Sequence, residues 1–324
     1  MNNLPEKLSQ AIDEHLHSFS LADLKFAVQE LQKSYREKEN RQALARTGEN
    51  FMSSALQKAA YLGYRLPATY AAIGEVLKEF LKQSKNTLVE SFLDLGAGPG
   101  TALWAAFDAF PLLKKITLIE KDPDLIQLGE KLSKEISLPL QWVNGDITTL
   151  EFSPHDVVLF SYVLSELPTD ALDKLLLKAW QAANVALIIL EPGTPYGYAN
   201  ILLAREKLLN EGAYLLAPCP HTGKCPMAQA KDWCHFSKRV ERSRLHRALK
   251  SGEKGYEDEK FSYLIASKIS GEPNSARIVR HPMHHSGHVQ LTLCKNEKLE
   301  QKIFSKKDKA FYKQARKLEW GDSF

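Results

Sequence analysis

The stretch Phe92-Leu93-Asp94-Leu95-Gly96-Ala97-Gly98-Pro99-Gly100-Thr101 decides how this chain folds. Its apolar start predicts a short strand that runs into a turn with three glycines at alternate positions. A helix is expected from about Thr101. Glycines leave no side chains over such a turn, so backbone N–H groups and a helix N-terminus can face a ligand. This arrangement is typical of a nucleotide or nucleoside pocket at the carboxyl end of a first strand.

The spacing of these residues narrows the class of ligand. The dinucleotide-binding pattern G-x-G-x-x-G has a wider last gap, and a Walker loop would need Gly-Lys-Ser or Gly-Lys-Thr. From Asp94 to Gly100 the chain instead reads D-x-G-x-G-x-G, which resembles motif I of class I S-adenosylmethionine (SAM) methyltransferases. The resemblance implies that Asp94, Gly96, Gly98 and Gly100 contribute to a SAM site.

Composition sets broad limits on the class of protein. A chain of 324 residues, 44% of them hydrophobic, can bury a full α/β core with a smaller domain. It has no run of about 20 apolar residues, so no transmembrane helix is expected, and its first residues lack a secretory pattern. We therefore expect a cytoplasmic protein with no membrane or DNA partner. The net charge of +4 is mild, so any basic patch must be local.

Strands and helices alternate from about residue 88. Candidate strands are 91–95, 116–120, 140–143, 156–161 and 185–190, with candidate helices at 101–109, 122–135 and 170–183. Such alternation predicts a parallel sheet with helices on both faces. Later strands are expected at 261–269 and 287–294. The prediction is an α/β, Rossmann-like class I methyltransferase sheet of seven strands that ends in an antiparallel pair.

Four segments are predicted along the chain. Residues 1–87, where apolar residues recur at helical spacing, form a helical N-terminal domain. Residues 88–198 form the SAM-binding core, and residues 199–260 form a cysteine-rich metal-binding insert. Residues 261–324 supply the last core strands and a basic tail.

Polar residues at later strand ends extend the predicted SAM site. Glu120 ends the second strand about 20 residues after the glycines, where a carboxylate can accept hydrogen bonds from ribose hydroxyls. Asp146 and Ile147 follow the third strand, and the methyltransferase resemblance implies that Asp146 meets the adenine amino group. Ser161 ends the fourth strand, whose end faces the methyl donor in that superfamily. The chain then reads Ser161-Tyr162-Val163-Leu164 rather than an Asn-Pro-Pro-Tyr type, so no catalytic residue is assigned.

The chain has four cysteines, three of them within 16 residues and one at the end of a predicted strand: Cys219, Cys225, Cys234 and Cys294. Grouped thiolates suit metal ligation in a reducing compartment. The spacing is neither that of a C-x2-C zinc ribbon nor the C-x3-C-x2-C run of radical SAM enzymes. Four thiolates fit a tetrahedral zinc or an iron–sulfur cluster. His221 or His235 could replace one cysteine at a zinc ion.

Further motifs occur along the chain at Arg65–Tyr70, Glu191–Pro195, Ala217–His221, Trp233–Phe236, Tyr256–Tyr263, Gly287–Val289 and Trp320–Asp322. With these motifs the chain resembles, over nearly its whole length, the small-ribosomal-subunit methyltransferase-like family. That family includes a mitochondrial ribosome small-subunit protein and assembly factor and its bacterial relatives. The resemblance implies a [4Fe-4S] cluster on the four cysteines and action on the small ribosomal subunit or its rRNA.

Two stretches are locally basic. Residues 231–254 contain eight Lys or Arg against three acidic residues, and residues 295–319 contain nine against four. Such stretches make salt-dependent phosphate contacts, and nearby aromatic rings can stack on unpaired bases. A SAM-dependent methyltransferase of small-subunit rRNA is the favoured hypothesis. A non-catalytic assembly factor on the same fold and a small-molecule methyltransferase with a structural zinc remain alternatives.

Overall fold

The computed structural model describes residues 4–36, 52–85, 87–250, 254–271 and 275–324. The N-terminal part is helical, as predicted: α1 (Glu6–Leu16), α2 (Leu21–Arg36), α3 (Ala55–Tyr64) and α4 (Leu66–Gln83). On α1 the buried residues Leu8, Ile12 and Leu16 recur every four residues, which puts one apolar stripe against the rest of the protein. Within the described ranges, no helix is long and apolar enough to cross a membrane.

Strands and helices then alternate through the central part of the chain. These elements are β1 (Ser91–Leu95), α5 (Thr101–Ala109), β2 (Lys115–Glu120), α6 (Pro123–Leu132), β3 (Leu140–Asn144), β4 (His155–Ser161), α7 (Thr169–Ala182) and β5 (Ala183–Pro192). All five residues of β1 are buried, as expected for a strand covered by helices on both faces. Successive side chains point to opposite faces, so Phe92 packs in the core beneath α5 and α6, and Leu93 packs in the core beneath α7.

The remaining elements are α8 (Pro195–Asn210), β6 (Tyr214–Ala217), α9 (Pro226–Gln229), β7 (Phe236–Glu241), α10 (Arg244–Lys250), β8 (Tyr256–Ser267), β9 (Arg277–Ile278), β10 (Met283–His284), β11 (His288–Lys295), β12 (Lys298–Ser305) and α11 (Lys309–Ala315). A small second sheet contains β9 to β12. It has its own core, in which Val289, Leu291 and Leu293 of β11 pack with residues of α11.

The main sheet has the order β3-β2-β1-β4-β5-β8-β6, with β7 paired to β8. Strands β1 to β5 are parallel, whereas β8 runs antiparallel to β5 and to β6. The order of the first seven of these strands is the predicted class I methyltransferase architecture, which is therefore confirmed, whereas β7 is an eighth strand that was not predicted. The chain order reverses between β1 and β4, and crevices at such switch points are where α/β sheets bind ligands.

The identity of the last strands differs from the prediction in one respect. The strand expected at 261–269 is part of β8, but the strand expected at 287–294 is β11 of the second sheet. The edge of the main sheet is formed by β6 and β7, which pair with different parts of β8 and lie inside the segment predicted to be an insert. Four residues of β6 are too few to show a period, whereas the alternating burial along β11 is a clear strand signal that does not identify a partner.

Candidate functional site

The glycine loop after β1 has a backbone that other residues rarely adopt. Gly96, Gly98 and Gly100 have φ angles of 77°, 56° and 80°, in the left-handed region that favours glycine. The N–H of Gly96 donates to the carbonyl oxygen of Ile119 at 2.9 Å, which ties the loop to β2. A Cβ at Gly96 would lie 2.6 Å from Cγ2 of Val163. The loop therefore passes directly against the segment that follows β4.

A cleft of about 960 Å³ opens at the carboxyl ends of the parallel strands. Six of the eight predicted SAM-site residues line it: Gly96, Gly98, Glu120, Asp146, Ile147 and Ser161. Small-molecule sites are commonly about 300–1,000 Å³. The cleft is at the upper end of this range, and its lining extends well beyond the predicted cofactor residues.

The other two predicted residues, Asp94 and Gly100, are not among the residues that line the cleft. Gly100 precedes α5, and a Cβ there would meet the Trp142 ring at 3.2 Å. The side chain of Asp94 is 1% exposed, and neither of its oxygens has a hydrogen-bond partner among the described residues. Burial, and then the charge of Glu120, raise the pKa of Asp94 to about 8. Asp94 is a buried acid under the cleft, and its side chain does not line the cleft wall.

Glu120 is held in place by the backbone around it. Its Oε2 accepts a hydrogen bond from Gly98 N at 2.8 Å, and its Oε1 accepts one from Asp122 N at 3.0 Å. Burial raises the pKa of Glu120, while these N–H groups oppose that rise. A carboxylate has about four acceptor positions. Glu120 therefore keeps acceptor capacity at the cleft wall after both internal hydrogen bonds are made.

The N-terminal helices contact residues beside Glu120 through a buried lysine. Lys58 of α3 places Nζ 2.8 Å from Asp122 Oδ2 and 2.7 Å from Asp124 Oδ2. The side chains of Lys58 and Asp122 are 7% and 4% exposed. The predictions from sequence did not include this ion pair, because nothing local in the sequence relates α3 to the start of α6.

Asp146 and Ile147 also line the cleft. We call the part of the cleft that the six predicted SAM-site residues line the cofactor half. Asp146 is exposed, and its Oδ1 accepts hydrogen bonds from Thr148 N at 2.8 Å and Thr148 Oγ1 at 2.7 Å. Ile147 is 6% exposed. An acidic side chain beside a buried apolar one offers both a hydrogen-bond acceptor and an apolar surface to a planar ring.

Three residues that were not predicted as site residues meet elsewhere in the same cleft. The guanidinium of Arg65 donates to both oxygens of Glu259, with Nη1–Oε2 at 2.6 Å and Nη2–Oε1 at 2.7 Å. The Tyr162 hydroxyl also donates to Oε1 at 2.9 Å. Tyr162 has a φ of 62°, which is unusual for a bulky residue. Burial, and then the charge of Glu259, raise its pKa well above the ordinary value, so its hydroxyl remains protonated.

All three residues lie in or beside segments that the sequence analysis named, but no sequence feature indicated that they contact one another. Arg65 and Glu259 lie in two of the motifs quoted for the family resemblance, and Tyr162 directly follows Ser161. Arg65 and Glu259 are 194 positions apart in the chain. Only the packing of the start of α4 against β8 brings them together.

The four cysteines line one small cavity and form no disulfide. Tyr198 Oη lies 3.1 Å from Cys225 Sγ, and Cys294 Sγ lies 3.5 Å from Nε2 of His221. Burial raises the pKa of Cys219 and Cys234 above the ordinary value and that of Cys294 to about 12, and neighbouring thiols add to each rise. The structure therefore brings together residues that are up to 75 positions apart.

The predicted metal site is not formed as a single-ion site. Among the described residues, no group of three or more His, Cys, Asp or Glu side chains could hold a metal ion. Around tetrahedral zinc, sulfurs about 2.3 Å from the metal lie about 3.8 Å from one another. His221 lines the cysteine cavity, whereas the ring of His235 stacks on Trp233 with centroids 5.3 Å apart. The cysteines share a cavity, but their side chains do not converge as zinc would require.

The two basic stretches differ in how their charges are used. In the first stretch, Arg239 pairs with Asp258, while Arg242 and Lys250 both pair with Glu257. The second stretch covers β12 and α11, where most side chains are exposed. The side chains of this second stretch are thus largely available to an external anion.

Solved structures with a related arrangement include a magnesium protoporphyrin IX methyltransferase from Synechocystis with bound SAM. It is 12% identical, with a TM-score of 0.41, over 75% of this chain and 97% of that one. A SAM-dependent methyltransferase from Aquifex aeolicus is 14% identical, with a TM-score of 0.40, over 64% of this chain and 95% of that one. Likeness at this level carries no argument about what the present chain does.

Two curated relatives from Schizosaccharomyces pombe are the mitochondrial Rsm22-cox11 tandem proteins 1 and 2. Each is 25% identical to this chain in an alignment over 323 residues. The alignment covers 83% of this chain, and the chain spans only 43% of the length of each relative. More than half of the length of each relative therefore lies outside the alignment with this chain.

A family model described as mitochondrial small ribosomal subunit Rsm22 matches residues 55–324. The prediction of a cytoplasmic location is wrong on this finding, because the family and both relatives are described as mitochondrial. The features on which that prediction rested do not distinguish these two compartments. Because the family model matches most of its length, the chain belongs to the mitochondrial small ribosomal subunit Rsm22 family.

Proposed function

We propose that this protein binds SAM in the cleft and transfers its methyl group to the RNA of a small ribosomal subunit. One observation carries the proposal. The glycine loop and the Glu120 carboxylate lie side by side at the carboxyl ends of β1 and β2, and both line the same cleft. Membership in a small-ribosomal-subunit family supports RNA as the acceptor.

The residues of the cleft suit the chemistry of SAM. Glu120 has acceptor capacity for ribose hydroxyls, and Asp146 with Ile147 offers an acceptor and an apolar face to adenine. SAM carries a sulfonium and an ammonium group. The unpartnered carboxylate of Asp94 beneath the loop favours a cation nearby, because a positive charge stabilises the ionised form of a buried acid.

SAM affinity measured by isothermal titration calorimetry tests the cofactor half. Glu120→Gln should weaken SAM binding at least about tenfold, because one charge-assisted hydrogen bond contributes about 1.5–3 kcal/mol. Glu135→Gln is the matched control, since Glu135 is an exposed carboxylate whose side chain is 67% accessible. Equal SAM affinity in all three proteins would remove the proposed pocket.

Methyl transfer is tested with tritiated SAM and a transcript of small-subunit rRNA. Label in the RNA that is lost in Glu120→Gln supports the enzyme. SAM binding without label in RNA, but with label in a small molecule of a cell extract, would instead support a small-molecule methyltransferase.

A non-catalytic assembly factor is the second candidate, and one observation favours it. Position 162, directly after β4, carries a tyrosine whose raised pKa keeps it protonated, so this hydroxyl is a poor base at neutral pH. Methyl transfer can rely on alignment alone, so the two candidates must be separated by experiment. The assembly factor is favoured if Glu120→Gln still sediments with small subunits at full occupancy and the wild type transfers no methyl group.

We also propose that the four cysteines hold a [4Fe-4S] cluster. Their number fits the four thiolate ligands of such a cluster, and they surround one cavity. Arg205 and Arg277 line the same cavity, and their charges favour thiolates there.

Anaerobic purification followed by iron and sulfide analysis tests the cluster. About four iron and four sulfide per chain, with broad visible absorption, would support it. Loss of both in Cys219→Ser, with the fold retained by circular dichroism, would assign a ligand. Stoichiometric zinc without colour would contradict the proposal.

We propose the exposed basic face of β12 and α11 as the RNA-binding surface. Lys298, Lys302 and Lys313 are exposed there. A variant with these three residues changed to Gln should bind RNA more weakly and with a shallower salt dependence, because fewer counterions are released. Unchanged slopes in filter binding between 50 and about 200 mM salt would exclude this face.

A further inference from the structure

The part of the cleft that Arg65, Tyr162 and Glu259 line has a recognition chemistry of its own. We infer, resting on the proposed SAM binding, that Arg65, Tyr162 and Glu259 form the subsite for the methyl acceptor, and that this acceptor is a nucleobase with an exocyclic amino group. These residues are assigned to recognition of the acceptor, and no proton transfer is assigned to them.

The position of the subsite follows from the backbone. Tyr162 is the residue after Ser161, which lines the cofactor half, and Val163 packs against Gly96 of the glycine loop. The left-handed conformation of Tyr162 is maintained by its own N–H, which donates to the Leu190 carbonyl oxygen at 2.8 Å, and by its hydroxyl on Glu259. Tyr162 thus joins the two parts of the cleft, and a group held beside it is next to the cofactor half.

The subsite offers a bound molecule a hydrogen-bond acceptor, the carboxylate of Glu259. Glu259 receives two hydrogen bonds from Arg65 and one from Tyr162, and its side chain is 10% exposed at the cleft wall. A carboxylate offers about four acceptor positions, so one remains. Arg65 and Tyr162 direct their donors at Glu259. A ligand that completes this arrangement must bring an N–H or O–H donor.

The surroundings favour a planar ring over a flexible amine. Tyr61, Tyr64, Tyr162 and Tyr196 all line this cleft, and bases splayed out of RNA stack on such rings. Carboxylates pair with the exocyclic amino group of cytosine. Cytosine and adenine carry such a group, whereas uracil does not. The Arg65 guanidinium lies 4.9 Å from the centroid of Tyr162, which orients that ring.

A purely structural role for the Arg65–Glu259 pair is the opposing interpretation, because the pair also connects α4 to β8. The two roles predict different results for base discrimination. A structural pair affects all RNA ligands alike, whereas an acceptor subsite distinguishes bases by the amino group. Glu259→Gln keeps the size of the side chain and changes its charge and one acceptor position.

The experiment measures fluorescence anisotropy of short labelled RNAs, oligo(C) and oligo(U), with protein saturated in S-adenosylhomocysteine. The expected result is about tenfold tighter binding of oligo(C), the size of one charge-assisted hydrogen bond. Glu259→Gln should lose this preference while it keeps its affinity for SAM. Glu135→Gln should retain the preference, because Glu135 is an exposed carboxylate that does not line the cleft. Equal binding of the two RNAs by the wild type, or a preference that survives in Glu259→Gln, would overturn the inference.

A second measurement does not depend on any variant folding. Oligo(C) that contains N4,N4-dimethylcytosine keeps its ring but has no amino N–H, and it should bind the wild type about tenfold more weakly than oligo(C). Equal binding would overturn the inference. Absence of SAM binding in the wild type would contradict the proposed function. Normal SAM binding without base discrimination would contradict only the proposed acceptor subsite.

Discussion

Asp94→Asn should stabilise the protein, and the gain should grow as the pH rises. The Asp94 carboxyl is buried beneath the glycine loop without a hydrogen-bond partner among the described residues. Its pKa is about 8, against an ordinary value of 3.8. Between these two values the unfolded chain releases the proton while the folded chain retains it. Stability is therefore lost as the pH rises through this window, and an asparagine, which cannot ionise, avoids that loss.

The size of the effect follows from the raised pKa of Asp94. Each pH unit between the two pKa values changes the free energy of unfolding by up to about 1.4 kcal/mol. At pH 7 the loss in the wild type has a ceiling of about 4 kcal/mol. Asp94→Asn should recover much of this loss near neutral pH and almost none near pH 4.

Urea unfolding followed by tryptophan fluorescence at pH 5, 6, 7 and 8 measures the difference between the two proteins. Asp146→Asn is the control, since it removes one negative charge from an exposed side chain of the same cleft. Parallel pH profiles of the wild type and Asp94→Asn would refute the reasoning. The same variant should bind SAM more weakly, because an asparagine cannot ionise when the cationic cofactor binds nearby.

Two further changes test the connections around the cleft and the cysteine cavity. Lys58→Met leaves Asp122 buried without its cation, so urea unfolding should show a loss of about 3–5 kcal/mol; a loss below 1 kcal/mol would contradict this. Arg277→Met removes hydrogen bonds to Glu79, the Pro218 carbonyl and the Gly321 carbonyl. Thermal melting should fall by several degrees, and an unchanged midpoint would show that these connections do not support the fold.

The fold class and the position of the cofactor half could be predicted because their signals are local. The glycine spacing from Gly96 to Gly100 reports a backbone that only glycine adopts readily, and Glu120 follows at the expected reach. Six of the eight named residues line the cleft, whereas Asp94 and Gly100 do not. The roles of all eight in binding SAM, and the four segment boundaries, stay predictions. The location could not be predicted, because the features used are shared by several compartments.

The sequence does not determine which distant strands and helices pack against one another. An alternating pattern identifies β11 as a strand, yet only packing against α11 places it in the second sheet and leaves the edge of the main sheet to β6 and β7.

The sequence by itself determined the alternation of strands and helices, the glycine loop and the family, since these depend on residues that are near neighbours or on recognisable motifs. Tertiary structure alone decided that Arg65, Tyr162 and Glu259 meet, and that the four cysteines share a cavity without single-ion spacing. The physical reason is that such contacts depend on the burial of whole faces of helices and sheets, and no short stretch of chain encodes which distant face it will meet.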